Sequence, residues 1–221
     1  MPGTYRQERD HPKAAPVRVG GARPVTVHRF GCRATGGPGG PGRTGRCQAG
    51  SRLPTLPEVA TWGIRSAEPG DVAELHALIE ELAAYEREPD AVEATTEDLA
   101  GALFAPEPRV HAEVAVVEVD GADVVAGVAI WFVTYSTWRG RHGIWLEDLF
   151  VRPEHRRLGL GRALLSTLAA TCAHRGYGRL EWAVLDWNEP AHAFYSSLGA
   201  APQDEWTTWR LQGEALEALV G

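Results

Sequence analysis

From residue 62 onward, apolar residues recur in two alternating rhythms. Val72, Leu75, Ile79 and Leu82 follow steps of three and four, the spacing of one helical face. Asp71 followed by Glu74 gives that helix a capping-box start, and Pro89 closes it. Before it, "WGIRS" at 62–66 reads as a strand. "TTEDLAGALF" at 95–104 opens on a threonine cap and gives a short second helix. Two β-rich runs then flank Asp120-Gly121, a dipeptide suited to a hairpin turn. "IWLEDLFV" at 144–151 is apolar on both faces, which predicts a central strand. A helix is expected from about Leu160 to Arg175. "RLEWAVL" at 179–185 reads as a strand. "NEPAHAFYSSLG" at 188–199 reads as a helix with Asn188 as its cap, Pro190 in its first turn and Gly199 just past its end. "WTTWRL" at 206–211 predicts a last strand and "GEALEALV" a terminal helix. The order implies an α/β chain, a mixed sheet with helices on its faces.

Residues 1–58 lack such periodicity. "ATGGPGGPGRTGRCQAGSRLP" is rich in Gly, Pro and Arg and carries too little apolar surface to offset its ordering entropy, so disorder is expected there, with a folded domain over 59–221. Two readings of the tail stand: a basic arm, or sequence upstream of a start at a codon such as that of Leu56 or Val59. The second is preferred.

Charge sharpens this division. Residues 1–60 hold ten basic and three acidic side chains; residues 61–221 hold twelve and twenty-six, so the net −7 hides a strongly acidic domain. Such a domain suits a cationic small substrate better than nucleic acid. The three cysteines form no paired spacing, and the histidines no metal-ligand pattern, so a reducing cytoplasm and no metal are expected. "VVAGVAIWFV" at 124–133 is too short to span a bilayer, and the N-terminus shows no secretory signal.

The chemistry concentrates at "RPEHRRLGLGRALL", 152–165. A strand ends, Pro153 turns the chain, and a helix begins near Gly159. The first N–H groups of a helix lack internal partners, and its dipole adds partial positive charge there. Gly159 and Gly161 bare the backbone, and Arg156, Arg157 and Arg162 add charge, so the stretch reads as a phosphate cradle. It is not a nucleotide P-loop, because Arg162-Ala163 stands where Lys-Ser/Thr is needed, and its glycine spacing is not the dinucleotide fingerprint.

"R-x-x-G-x-G" at Arg156–Gly161, after "LEDLFV" and before an apolar helix, resembles the coenzyme A signature of GCN5-related N-acetyltransferases (GNAT). "AYE" at 84–86, "YSTWRGR" at 135–141, "VLDWNEPA" at 184–191, "FYSSLGA" at 194–200 and "GEALEAL" at 213–219 resemble the diamine and thialysine acetyltransferase branch. The resemblance implies a GNAT fold: a mixed α/β (α+β) domain with a mostly antiparallel twisted sheet and helices on both faces. It also implies acetyl-CoA as cosubstrate, a small primary amine as acceptor and a homodimer.

Residue by residue, the resemblance assigns the pantetheine arm to Leu149, Phe150 and Val151. The pyrophosphate falls to Arg156, Arg157, Leu158, Gly159, Leu160, Gly161 and Arg162. Asn188, Glu189, Pro190 and Ala191 come near the reactive end. Tyr195 becomes the general acid that protonates the departing thiolate; alone, beside Phe194, it would read as core. Two carboxylates in an apolar strand are costly unless paired or functional, and alternation sends Glu147 and Asp148 to opposite faces. The resemblance makes Glu147 the substrate-facing one, a catalytic residue that attracts the ammonium and accepts its proton, directly or through water. It adds Tyr85, Glu86 and Trp138 to the substrate side, although Glu86 alone would read as a solvated helix end. Ser136 replaces the acid that polyamine-specific members carry after the tyrosine, which favours a compact amino-acid amine over spermidine. The rival readings are acetylation of a protein or peptide amine, a coenzyme-binding regulator without turnover, and a nucleic-acid binder acting through the tail. The absence of interleaved aromatics in that tail speaks against the last, and no membrane partner is expected.

Overall fold

A computed structural model describes residues 61–220; the expectation for residues 1–58 lies outside the described residues. Five strands form one sheet in chain order: β1 (Trp62–Ser66), β2 (Val110–Val119), β3 (Ala122–Ser136), β4 (Arg141–Val151) and β5 (Leu180–Glu181). The first three pairings are antiparallel and the last is parallel. The β2–β3 hairpin turns on Asp120 and Gly121, both at positive φ (51° and 79°), as the tight right-twisted turn requires.

Helices cover both faces. α1 (Val72–Tyr85) and α2 (Thr96–Leu103) pack Leu75, Leu78 and Leu103 against Val114, Val128 and Phe150 on one side. α3 (Leu160–Arg175) packs Leu160, Leu164 and Leu168 against Ala115, Ala129 and Leu146 on the other. α4 (Glu189–Ser196) starts at Asn188, whose side chain accepts from the Ala191 N–H, and a single turn, α5 (Glu214–Glu217), follows. Thr95 caps α2 as expected, accepting from Asp98 N.

Several expectations change. Asp71 is no partner of Glu74. It ends a short 3-10 turn, accepts from the Glu68 N–H at 2.7 Å and takes a two-pronged ion pair from Arg65, which holds its carboxyl below the usual range. Glu74 turns instead to Arg152. Arg152 also binds Glu81 at 2.9 Å and the Val125 carbonyl at 3.1 Å, pinning the chain after β4 to α1 and β3. α1 ends at Tyr85, before Pro89. The strand expected over 179–185 holds only at Leu180–Glu181, because its neighbour β4 diverges beyond Trp145. Residues 206–211 alternate like a strand but pair with nothing among the described residues, leaving Trp206 and Trp209 70% and 91% exposed.

Candidate active site

The divergence of β4 from the chain after β5 opens a cleft of about 800 Å³. One wall is Leu146–Val151; the other is Trp182–Leu185 and α4. Because parallel pairing stops at Trp145↔Glu181, the β4 backbone from 147 to 151 has no neighbour strand on this side.

A bulge shapes the β4 wall. Leu146 pairs with Trp131 and Asp148 with Ile130, so Glu147 is an extra residue in the strand. It resets the alternation. Leu146 and Leu149 both pack toward α3, and Phe150 packs toward α1. Glu147 accepts from the Trp145 indole N–H at 2.8 Å, two residues back on the same face. Glu147 and Asp148 therefore both enter the cleft rather than opposite faces, which corrects the alternation argument. Burial pushes the Asp148 carboxyl up to about 6, with Glu147 and then Glu86 adding repulsion. Burial also raises Glu86, at the C-cap of α1.

The opposite end is electropositive. Arg157 and Gly159 both adopt left-handed backbone (φ 67° and 89°), and α3 begins immediately after. Within the described residues, no acceptor meets the backbone N–H groups from Arg157 to Arg162. A Cβ on Gly159 would meet open space, so only the cleft lies there. This bared turn, with Arg157 and Arg162 beside it, fits a polyphosphate. Arg156 is folded back: its Nε donates to the Val151 carbonyl at 3.0 Å, and its guanidinium lies over Tyr85 and Phe150.

Tyr195 sits between these ends. Its ring packs on Trp182 at 4.8 Å and on Phe194 at 5.2 Å, and burial, with Glu86 nearby, pushes its phenol up to about 12. Asn188 is buried; its Oδ1 accepts from Tyr85 Oη at 3.1 Å, joining α1 to α4 across the cleft.

Of the residues singled out in the sequence, Tyr85, Glu86, Glu147, Leu149, Phe150, Val151, Arg156, Arg157, Gly159, Leu160, Gly161, Arg162, Asn188, Pro190, Ala191 and Tyr195 line this one cleft. Leu158, Glu189 and Trp138 do not. Leu158 is turned outward on the loop, and Trp138 is 87% exposed against Trp206. Asp148, weighed beside Glu147 in the sequence but given no role there, also lines it, as do Trp182 and Arg210, which the sequence did not single out. The cost of burying Asp148 was the available signal. Trp182 and Arg210 had none, since their places depend on divergent backbone.

A helix opening on a bared glycine turn, beside a strand splayed from its parallel neighbour, leaves a groove with an anion-binding turn at one end. Residues 75–200 match the model of the acetyltransferase (GNAT) family, and the chain belongs to that family and is an acyltransferase. It falls in the thialysine/diamine acetyltransferase-like branch. It is 39% identical over 166 residues to thialysine N-epsilon-acetyltransferase of Bos taurus, covering 72% of this chain and 96% of that one. It is 31% identical to an L-ornithine N5-acetyltransferase of Arabidopsis thaliana, over 75% of this chain and 93% of the relative. Among solved structures, an integron cassette protein from the mobile metagenome of V. cholerae superposes with a TM-score of 0.60 at 27% identity, covering 72% of this chain and 97% of that one. Among the described residues, no group of three or more His, Cys, Asp or Glu side chains is arranged for a metal ion, and no helix is long and apolar enough to cross a membrane.

Proposed function

We propose that the protein transfers acetyl from acetyl-CoA directly to a primary amine of a small molecule, an amino-acid side-chain amine of the thialysine or ornithine type, or a diamine. One observation carries this: the cleft is bipolar. The N–H groups of 157–162 and two arginines mark one end, and Glu86, Glu147 and Asp148 the other, with a splayed strand between. An anionic coenzyme and a cationic amine find complementary ends of one groove. The names of the bovine and Arabidopsis relatives both place acetyl on a side-chain nitrogen, which supports the amine chosen.

Acetyl-CoA would supply the acetyl group as a thioester. In the transfer, a bond forms from the amine nitrogen to the acetyl carbon as the carbon–sulfur bond breaks. Glu86, Glu147 and Asp148 draw the ammonium in; Asp148 and Glu147 receive the proton it loses to become a nucleophile, directly or through water, and the second proton, lost from nitrogen as the amide forms, leaves to solvent. Tyr195 would supply its phenolic proton to the departing sulfur. At about 12 the phenol stays protonated until negative charge builds there. It then completes the thiol and regains a proton from solvent.

Asp148 gives a test with two readouts. A carboxyl raised to about 6 in the fold, against an unfolded value of about 4, costs no stability below about pH 4. The cost builds as pH rises through that window and is complete above about 6, at most about 3 kcal/mol. Asp148→Asn should therefore raise the melting temperature at pH 7.5, with the gain shrinking toward about pH 4. Wild type should show an acid limb near pH 6, and the same variant should lower kcat/KM at neutral pH and lose that limb. Thermal unfolding and thiol-release profiles across pH check both. An unchanged acid limb would remove Asp148 from proton transfer.

We extend the proposal to a homodimer. Trp206, Trp209, Leu219 and Val220 are exposed on a segment that pairs with nothing else among the described residues, and Trp138 joins them. A second copy would cover this apolar surface. Light scattering should give twice 23.9 kDa, and Trp209→Glu should shift the protein toward a monomer.

A further inference from the structure

A second cavity of about 230 Å³ shares no lining residue with the active-site cleft. It lies where β1 and β2 meet the ends of α2 and α3, and Ser66, Leu103, His111, Glu113, Trp131 and Arg175 border it.

Its polar groups are incompletely matched. Glu113 is only 9% exposed, and among the described residues its carboxylate accepts only from Ser66 Oγ, at 3.1 and 3.3 Å. A carboxylate so placed needs a cation or more donors. No ion pair joins it to Arg175, whose guanidinium lies 5.8 Å from the Trp131 ring centre at the exposed mouth. Trp131 is only 2% exposed, and its Nε1–H has no hydrogen-bond partner among the described residues. Burial pushes the Glu113 carboxyl up, and Ser66, Arg175 and the nearby Trp131 N–H offset part of that rise, the N–H approaching the carboxylate without meeting it in hydrogen-bond geometry. His111 stacks on the same indole at 4.4 Å, and burial with Arg175 nearby lowers its pKa, which favours the neutral ring. The cavity thus has an acceptor inside, a cation at the mouth and an unused donor between them. None of these groups serves the acetyl transfer.

We propose that this cavity binds a small zwitterion of the α-amino-acid type, its ammonium on Glu113 and its carboxylate between Arg175 and the Trp131 N–H. A simple cation would meet repulsion from Arg175 and a simple anion repulsion from Glu113, so a ligand carrying both charges is the better match. The volume is below the usual range for drug-sized sites, about 300–1,000 Å³, and suits a molecule of a few heavy atoms. Such a ligand would supply the missing partner to each of three groups at once. This inference is independent of the acetyl-transfer reading.

The test uses the full chain labelled with ¹⁵N and saturated with coenzyme A, with L-alanine as the probe. The Trp131 indole signal is assigned by its loss in Trp131→Phe. It should shift saturably with L-alanine, and much less with acetate or methylammonium alone. Glu113→Gln, which keeps the shape and removes the charge, should weaken the response about tenfold or more. If Trp131→Phe does not fold, calorimetric titration of L-alanine into wild type, Glu113→Gln and Arg175→Gln gives the same contrast. A signal that does not move, that moves equally in Glu113→Gln, or that moves as far with acetate or methylammonium alone would overturn the assignment.

Discussion

Tyr195→Phe should lower turnover by roughly 10²–10⁴-fold, the usual worth of a positioned proton donor, while leaving the protein folded. Phenylalanine keeps the contacts with Trp182 and Phe194. No hydrogen bond among the described residues uses the phenolic oxygen, so the change removes no structural bond. Acetyl-CoA affinity should barely move, and the Michaelis constant for the amine should move far less than kcat, because the loss falls on the transition state. A thioester whose thiol is more acidic needs less help and should narrow the gap between variant and wild type. Steady-state and single-turnover kinetics check all three. Near wild-type turnover would return Tyr195 to a packing role.

Gly159→Val should weaken coenzyme binding by about 10–100-fold, the worth of one or two lost charge-assisted hydrogen bonds. The residue sits at φ 89° with nothing within 4 Å of its would-be Cβ. Valine would force the turn out of its left-handed geometry and project into the cleft. The bared N–H groups of 157–162 would lose their common aim. Arg157→Gly is the companion variant. It relaxes a left-handed non-glycine (φ 67°), so the fold should be at least as stable, and its affinity isolates the guanidinium. Calorimetry with coenzyme A, beside thermal unfolding of both variants, separates the contributions. Full affinity in a folded Gly159→Val protein would take the phosphate off this turn.

What the sequence made legible was whatever local chemistry decides. Thr95 caps α2, Asp120-Gly121 turns the hairpin, and α3 begins just after Gly159 because each condition is met within a few residues. What it hid depends on partners distant in the chain. "RLEWAVL" has the composition of a strand, but a strand needs a neighbour, and β4 has turned away after Trp145. The one-residue bulge at Glu147 exists only in the register between β3 and β4, so strict alternation misplaced one of the two carboxylates. Asp148 consequently received too little weight, although its burial makes it the most perturbed acid of the cleft. Trp138 lies in a motif that matches but stands 87% exposed outside the groove. It stands against Trp206 instead, the ring centres 6.2 Å apart.

The most direct measurement is product formation from acetyl-CoA with a panel of primary amines, following thiol release and identifying the product by mass and by position of the acetyl group. Thialysine, ornithine, lysine, putrescine, spermidine and a lysine-containing peptide cover the alternatives. The account predicts one thiol released per acetyl gained, on the side-chain amine of a compact amino acid or a diamine, and little transfer to the peptide. Coenzyme binding with no acetylated product from any of these amines, or transfer to the peptide alone, would contradict it.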